Sequence, residues 1–302
     1  MKAGGQTSGV TAILTLIAML AFAANSVLAR LGLGESAIDP ASYTAVRLLS
    51  GAATLWAVAR FSSQDKTAAS PGSWPSGAML FLYAITFSFA YITLSTGTGA
   101  LILFAAVQIT MIAMGLYSGE RPRPLEWLGL LIAIIGLIYL LSPGITAPSL
   151  LGSFLMLLAG IAWGVYSIRG RGAVNPMGAT ADNFMRTVPF ALIMLFIFYS
   201  KIKISQPGFF YALISGAISS GVGYAIWYAA LRGLTATRAA TVQLSVPVLA
   251  AVGGVIFLSE AITPRLAIAS VAILSGIGMA VLGHQQVVNA ASIETDAPER
   301  RA

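Results

Sequence analysis

Long apolar runs dominate the chain and alternate with short polar connections. A bilayer core of about 30 Å needs roughly 20 helical residues at about 1.5 Å each. The runs of this kind predict ten helices, near residues 10–33, 40–60, 75–95, 98–117, 124–142, 150–169, 181–199, 208–230, 237–258 and 264–283. The pattern therefore predicts an all-α membrane protein with ten transmembrane helices.

The first apolar run superficially resembles a secretory signal peptide, because Lys2 precedes it and AFA at 21–23 is similar to a cleavage site. The run continues to Leu33, however, and it has a counterpart in the second half of the chain. We therefore interpret it as the first membrane helix. After Gly283 the sequence is polar, which predicts a disordered tail.

The two halves of the chain repeat each other. Offsets of 139 or 140 residues superpose charged, proline and glycine positions: Arg30 on Arg169, Arg47 on Arg186, Glu120 on Glu260, Pro124 on Pro264 and Gly136 on Gly276. Each unit contains five helices, and this odd number makes the second unit enter the membrane from the opposite side. The pattern predicts inverted repeats around a central cavity, as in many secondary transporters with a substrate site near the midplane.

The repeat sets the expected domain organisation. We expect an N-terminal segment over 1–9, a first repeat over 10–142, a linker over 143–149, a second, inverted repeat over 150–283 and a polar tail over 284–302. Both termini are predicted to be cytoplasmic, because basic residues concentrate in loops on the inner side. The inner basic residues are Lys2, Arg60, Lys66, Arg121, Arg123, Arg169, Arg171, Arg232, Arg238, Arg300 and Arg301, and the outer ones are Lys201, Lys203 and Arg265.

Composition excludes several classes of function. Hydrophobic residues make up 57% of the chain and charged residues only 9%, against about 25% charged in soluble globular proteins. The net charge is +7, but the 17 Lys and Arg residues are scattered, whereas nucleic-acid binding needs them clustered on one face. The chain has no cysteine, and its one histidine, His284, follows the last helix. We therefore expect no enzyme activity, no metal and no cofactor.

Several motifs resemble one transporter family. AWG at 162–164, Arg186, ALRGLTATRAATV at 230–242, Pro247 and LSEAITP at 258–264 are similar to the EamA-type pattern of the drug/metabolite transporter superfamily. The resemblance covers nearly all of residues 10–283, and the chain is most similar to the YddG-type amino-acid exporters. In the first half, Ala24-Asn25 and Val107-Gln108 depart from the pattern, so the two halves need not contact a substrate symmetrically.

The resemblance implies a secondary transporter of the bacterial inner membrane. It would export aromatic and other neutral amino acids and related amphipathic metabolites by alternating access. Since two five-helix halves enclose a complete site, we expect a functional monomer. Alternatives are an exporter of organic cations, drugs or other metabolites from the same superfamily, a channel-like facilitator, or a scaffold without transport. An organic cation would favour a buried carboxylate, which the sequence does not supply near a helix centre.

A transport cavity should combine isolated polar groups with aromatic rings. The candidates are Asn25, Ser26, Tyr83, Phe87, Tyr91, Gln108, Trp163, Tyr166, Tyr224, Trp227, Tyr228 and Gln243. Tyr83, Phe87 and Tyr91 are spaced i, i+4, i+8 and share one helical face. Tyr and Trp also collect at membrane interfaces, so an interface belt is the alternative for these rings. The two glutamines favour a cavity, because a carboxamide in hydrocarbon needs a partner.

Arg47 and Arg186 lie about two turns inside helices 2 and 7. An intramembrane arginine indicates a functional site by default, but its recurrence in both halves favours a shared structural role. Asp182 lies one turn before Arg186 and can pair with it. Arg186 is therefore either a structural anchor or a contact for a substrate carboxylate.

Two further features concern connections and motion. Glu120 and Glu260 lie in equivalent charged connectors and are predicted to pair with nearby arginines or loop amides. Pro247 interrupts helix 9 and is the candidate hinge. Acidic residues near helix centres are absent from the sequence, which favours a facilitator or exchanger over a carboxylate-based proton antiporter.

Overall fold

The computed structural model describes residues 8–61, 72–119, 124–170, 173–234, 239 and 242–296, with side chains described between residues 9 and 281. Ten long helices run through this part of the chain: α1 (Ser8–Gly34), α2 (Pro40–Phe61), α3 (Trp74–Ala90), α4 (Thr96–Tyr117), α5 (Pro124–Leu141), α6 (Leu150–Arg169), α7 (Pro176–Ile197), α8 (Gln206–Leu231), α9 (Ser245–Leu258) and α10 (Pro264–Asp296). Among the described residues, seven helices are long and apolar enough to cross a membrane, and α3 and α9 are shorter apolar helices. The predicted all-α membrane fold is confirmed.

Helix ends differ from the sequence-based bounds where local capping decides them. α3 stops at Ala90, and the Tyr91 N–H donates to the Phe87 carbonyl at 3.2 Å. α7 begins earlier than predicted, at Pro176, a residue suited to the first helical position because its missing N–H would have no partner there. α10 continues past Gly283 to Asp296, where the polar composition predicts a disordered tail.

Helix pairing follows a pseudo-twofold axis that exchanges the two halves. α2 packs on α7, α4 on α9 and α5 on α10, so each of these pairs joins a helix to its own counterpart in the other repeat. The remaining large contacts occur in equivalent sets. α6 packs on α3 and α4, and its counterpart α1 packs on α8 and α9. This arrangement is that of two inverted five-helix repeats.

Hydrogen bonds join the halves at both ends of the α2–α7 pair. At one end, the Asp39 N–H donates to the Lys203 carbonyl and the Lys203 N–H donates to Asp39 Oδ2, each at 2.9 Å. At the other end, the Gly72 N–H donates to Asp182 Oδ2 at 2.7 Å. The α1–α2 connection therefore lies against the α7–α8 connection, and the residues before α3 lie against the start of α7. The two halves meet in the antiparallel sense that inversion requires.

Glu260 makes the contacts predicted for it. Its Oε1 lies 3.4 Å from Arg30 Nε, and the Thr96 N–H donates to Oε2 at 2.8 Å. Thr96 begins α4, so the carboxylate lies at the positive end of that helix dipole and is stabilised by it. The counterpart Glu120 lies outside the described residues. The same holds for Lys2, Lys66, Arg121, Arg123, Arg171, Arg238, Arg300 and Arg301.

α5 and α10 cross at two glycines. A Cβ built on Gly129 would meet the Gly276 carbonyl oxygen, and a Cβ on Gly276 would meet the Gly129 carbonyl oxygen. Small residues at such a crossing let two membrane helices approach closely. The pair lies beside the other eight helices as scaffold and contacts them mainly through α4.

Candidate functional site

Aromatic rings from both repeats meet between α3, α6 and α8. The ring centroids of Tyr83 and Trp163 lie 4.9 Å apart, and those of Trp163 and Tyr224 lie 5.7 Å apart. Along α3, Phe87 packs on Tyr83 at 5.4 Å and on Tyr91 at 4.7 Å. These distances are typical of favourable aromatic pairs. The i, i+4, i+8 face predicted from the sequence therefore points into the helix bundle, and we call these connected rings the ring network.

The remaining candidate rings join the same network. They are Tyr166, 5.3 Å from Trp163, Tyr228, 6.5 Å from Tyr224, and Trp227, which is 5.9 Å from Phe22 while Phe22 is 5.5 Å from Tyr224. All three side chains are buried or half-buried. The structure thus gathers every candidate ring into one cluster inside the bundle.

Asn25 lies in a polar cluster that depends on an irregular stretch of α8. This helix is α-helical over Gln206–Ile214 and Gly223–Leu231, but π-helical over Ser215–Val222. The Ser215 hydroxyl donates to Asn25 Oδ1 at 2.8 Å and the Ser220 hydroxyl at 3.4 Å. π-Helical segments occur frequently at functional sites. Ser26, the next residue on α1, is also buried.

The π-helical segment packs directly on α2. A Cβ built on Gly216 would meet Ser50 Oγ and the Arg47 carbonyl oxygen, so only glycine allows this close approach of two backbones. The contact joins the second repeat to the first at the level of Arg47. The π-helical segment and its serines are not among the features predicted from the sequence. The available signal is the run of small residues SGAISSG at 215–221.

Arg47 is only 3% exposed and contacts the ring network. Its Nη2 donates to the Tyr83 hydroxyl at 2.9 Å, and its guanidinium carbon lies 4.7 Å from the Phe87 ring centroid. Among the described residues no Asp or Glu pairs with it, and its Nη1 has no hydrogen-bond partner. The sequence favours a structural role for Arg47, which is not among the candidate site residues, but in the structure it contacts two of the candidate rings, Tyr83 and Phe87.

Arg186 has a different environment. Its Nη2 lies 3.0 Å from Asp182 Oδ2 and its Nε 3.3 Å, which confirms the predicted pair. Its guanidinium carbon lies 5.2 Å from the Trp74 ring centroid, and its side chain is 25% exposed. Arg186 is therefore paired with an acid near the middle of α7, and the ring that it contacts, Trp74, lies outside the ring network.

The two candidate glutamines and the candidate hinge lie on or beside α4 and α9. Gln108 and Gln243 are both half-buried. Pro247 lies in the first turn of α9, and Leu244 just before α9 is in a turn. A proline ring clashes with the carbonyl four residues earlier, here that of Gln243, which accounts for the break in the helix. The role of Pro247 as a hinge stays a prediction.

Cavities lie at two helix pairs that the repeat makes equivalent. A cavity of about 510 Å³ lies between α1, the end of α8 and the start of α9, and it is lined by Thr11, Ala12, Thr15, Leu16, Met19, Gly233, Leu234, Val242, Ser245 and Leu249. A second, of about 300 Å³, lies between α4 and α6 and includes Thr110 and Ile161. Both volumes fall in the range of small-molecule sites.

Relatives of known sequence extend over much of the chain. An uncharacterised protein of Pseudomonas aeruginosa is 49% identical over 269 residues, which cover 89% of this chain and 93% of that protein. The threonine/homoserine exporter RhtA of Escherichia coli is 29% identical over 182 residues, 57% of this chain and 59% of the exporter. A solved crystal structure shares the fold with a TM-score of 0.64 at 21% identity, covering 89% of this chain and 96% of the other.

Both repeats match one family of membrane transporters. The match to the EamA-like transporter family covers residues 9–142 and, a second time, residues 150–282. These two segments include all the rings of the network and both intramembrane arginines. With this double match and ten helices arranged as two inverted repeats, the chain belongs to the EamA-like transporter family.

Proposed function

We propose that this chain exports neutral amino acids, aromatic ones included, and related small amphipathic metabolites by alternating access. The observation that carries the proposal is the ring network, in which Tyr83 of the first repeat meets Trp163 and Tyr224 of the second. Substrate sites of inverted-repeat transporters lie where the repeats meet. The partial similarity to a threonine/homoserine exporter supports an amino-acid cargo.

The ring network suits such a cargo chemically. Ring faces pack against an apolar side chain and attract an ammonium group through cation–π contact. Asn25 supplies an amide for hydrogen bonding close to the same helices. Because Tyr83 is on α3 and Trp163 is on α6, a change in the packing of these two helices would separate the rings and open the site. Within the family these features favour the YddG-type amino-acid exporters.

An organic cation fits the site less well. A buried cation favours a carboxylate partner, and within the described ranges the charged side chain found in contact with the ring network is the cation Arg47. We also propose a monomer in the bacterial inner membrane with both termini in the cytoplasm. The distribution of basic residues in the connecting segments supports this orientation.

Counterflow in proteoliposomes tests the proposal. Vesicles preloaded with unlabelled L-phenylalanine or L-threonine should take up the labelled amino acid saturably and faster than empty vesicles. Trp163→Ala should raise the amino-acid concentration at half-maximal uptake by about tenfold or more. The reason is that losing a buried aromatic contact costs more than about 1.4 kcal/mol of binding free energy. The matched control is Trp56→Ala on α2, whose indole is 56% exposed on the helix surface and should leave transport unchanged.

Other outcomes would separate the alternatives. Flux without saturation would indicate a channel-like facilitator. Stimulated uptake of tetraphenylphosphonium without any amino-acid uptake would indicate an organic-cation exporter. Equal effects of Trp163→Ala and Trp56→Ala would contradict a substrate site at the ring network.

A further inference from the structure

Arg47 is a positive charge held deep within the helix bundle. It is the eighth residue of α2 (Pro40–Phe61), which places it about 10 Å along the helix from its first residue. A charge at such a depth is costly unless it is paired or functional. The fold nevertheless keeps it there with only 3% of the residue exposed.

The groups around Arg47 orient the guanidinium without neutralising it. The titratable side chains next to it are Tyr43, Tyr83 and Tyr224. Tyr83 accepts one hydrogen bond from Nη2, and Phe87 presents its ring face. Arg47 Nη1 has no hydrogen-bond partner among the described residues. One buried donor is thus left for a further group, and buried polar groups in proteins ordinarily have partners.

We propose that Arg47 binds the carboxylate of the transported molecule, in a site between α2, α3 and α8. Nη1 donates to a carboxylate oxygen, and the Tyr43 hydroxyl can donate to the same group. Tyr83 fixes the other side of the guanidinium, so the arginine is held in place before the cargo arrives. The identity of the cargo as an amino acid rests on the proposed function, whereas the carboxylate site does not.

Charge and position both favour a monocarboxylate. One unpaired guanidinium matches a single negative charge, and Arg–carboxylate hydrogen bonds are among the strong ones in proteins. The rings of Trp163 and Tyr224 lie beyond Tyr83 and present faces for an apolar side chain or an ammonium group. Tyr224 comes from the second repeat. A ligand held there therefore touches both repeats, as alternating access requires.

Ligand-dependent thermal stability of the purified full-length protein tests the site without any variant. Each of three carboxylates, 3-phenylpropionate, L-phenylalanine and L-threonine, is compared with its own carboxamide, which keeps the shape and removes the negative charge. We expect the carboxylates to raise Tm, and the amides to bind about 30-fold more weakly or worse, as when one partner of a buried charge pair is lost. Equal protection by a carboxylate and its amide in every pair would overturn the proposal.

Variants assign the effect to this arginine. Arg47→Gln should remove the discrimination between 3-phenylpropionate and its amide, and Arg47→Lys should keep part of it, because lysine retains the charge but not the forked geometry. The matched control is Arg60→Gln, the same change at an exposed position of the same helix, which should leave the discrimination intact. A folded Arg47→Gln protein that still discriminates would overturn the proposal. If that variant does not fold, Arg47→Lys and the wild-type comparison decide.

The binding and transport experiments test the carboxylate site and amino-acid export separately. Protection by 3-phenylpropionate that depends on Arg47, without amino-acid counterflow, would leave the carboxylate site standing and contradict amino-acid export. Amino-acid counterflow together with equal binding of carboxylates and amides would leave export standing and contradict the site.

Discussion

The two intramembrane arginines occupy equivalent positions of the repeat and have opposite environments. Arg186 on α7 pairs with Asp182 and is partly exposed. Arg47 on α2 is buried, and the residue four positions before it is Tyr43 instead of an acid. The 139-residue offset that superposes Arg47 on Arg186 also superposes Tyr43 on Asp182. A single difference between the repeats, Tyr43 in one and Asp182 in the other, thus distinguishes an arginine without an acidic partner from an ion-paired one.

The difference shows how a duplicated fold acquires an asymmetric site. Arg47 lies about two turns and Arg186 about three turns inside its helix, and the repeat offset superposes the two residues. The availability of each charge depends on the neighbour at i−4, where an acid on a helix reaches its basic partner. A substrate that carries one carboxylate needs one such charge and not two, since a second would have to be neutralised or hydrated.

The largest expected effect comes from transplanting the neutralising acid. Tyr43→Asp should place a carboxylate one turn before Arg47, in the favourable order of acid then base. The internal ion pair would compete with the ligand, so we expect the affinity for 3-phenylpropionate to fall by about 30-fold or more, which is about 2 kcal/mol. Titration calorimetry or ligand-dependent Tm measures this loss.

Tyr43→Asn is the matched control for that change. It removes the same ring from the fully buried position and has nearly the same shape as Asp, but it carries no charge. Both variants lose packing stability, so the comparison between them isolates the carboxylate. If Asp and Asn at this position bound 3-phenylpropionate equally well, the contrast between the two arginines would have no functional meaning.

A smaller effect should follow from loosening the buried arginine. Tyr83→Phe removes the acceptor that lies 2.9 Å from Arg47 Nη2 but keeps the ring that packs on Trp163. A hydrogen bond to a charged group contributes about 1.5 kcal/mol, so 3-phenylpropionate should bind roughly tenfold more weakly. Tyr117→Phe, at an exposed end of α4, is the control. Unchanged binding would show that Tyr83 does not hold the guanidinium for its ligand.

Much of the fold could be predicted because its signals are long and repeated. Ten apolar runs and matched residues at offsets of 139 and 140 predict ten helices in two inverted units, which is the architecture observed. Helix ends depend on single contacts and were less predictable. The break before α9 follows from the clash of Pro247 with Gln243, and the end of α3 from the turn at Tyr91.

The candidate site could be predicted in part. Helical spacing alone places Tyr83, Phe87 and Tyr91 on one face, and they do pack together. The recurrence of the arginine in both halves predicts a shared structural role, whereas the unlike neighbours Tyr43 and Asp182 indicate different roles for Arg47 and Arg186. That signal is present in the sequence. The π-helical segment of α8 could not be predicted in this way, because it forms where Gly216 packs on the backbone of a distant helix.

The smallest effect is expected on the neutralised side of the comparison. Asp182→Asn removes the charge partner of Arg186, yet the pair is 39% and 25% exposed, and exposed ion pairs contribute about 0–1 kcal/mol. The asparagine oxygen can still accept the Gly72 N–H. We therefore expect thermal stability to fall by less than about 1 kcal/mol and the affinity for 3-phenylpropionate to change by less than about twofold. Calorimetry with that ligand measures both. If Asp182→Asn altered binding as much as Tyr43→Asp, Arg186 would be acting on the ligand too, and the charge partner at i−4 would not be what distinguishes the two halves.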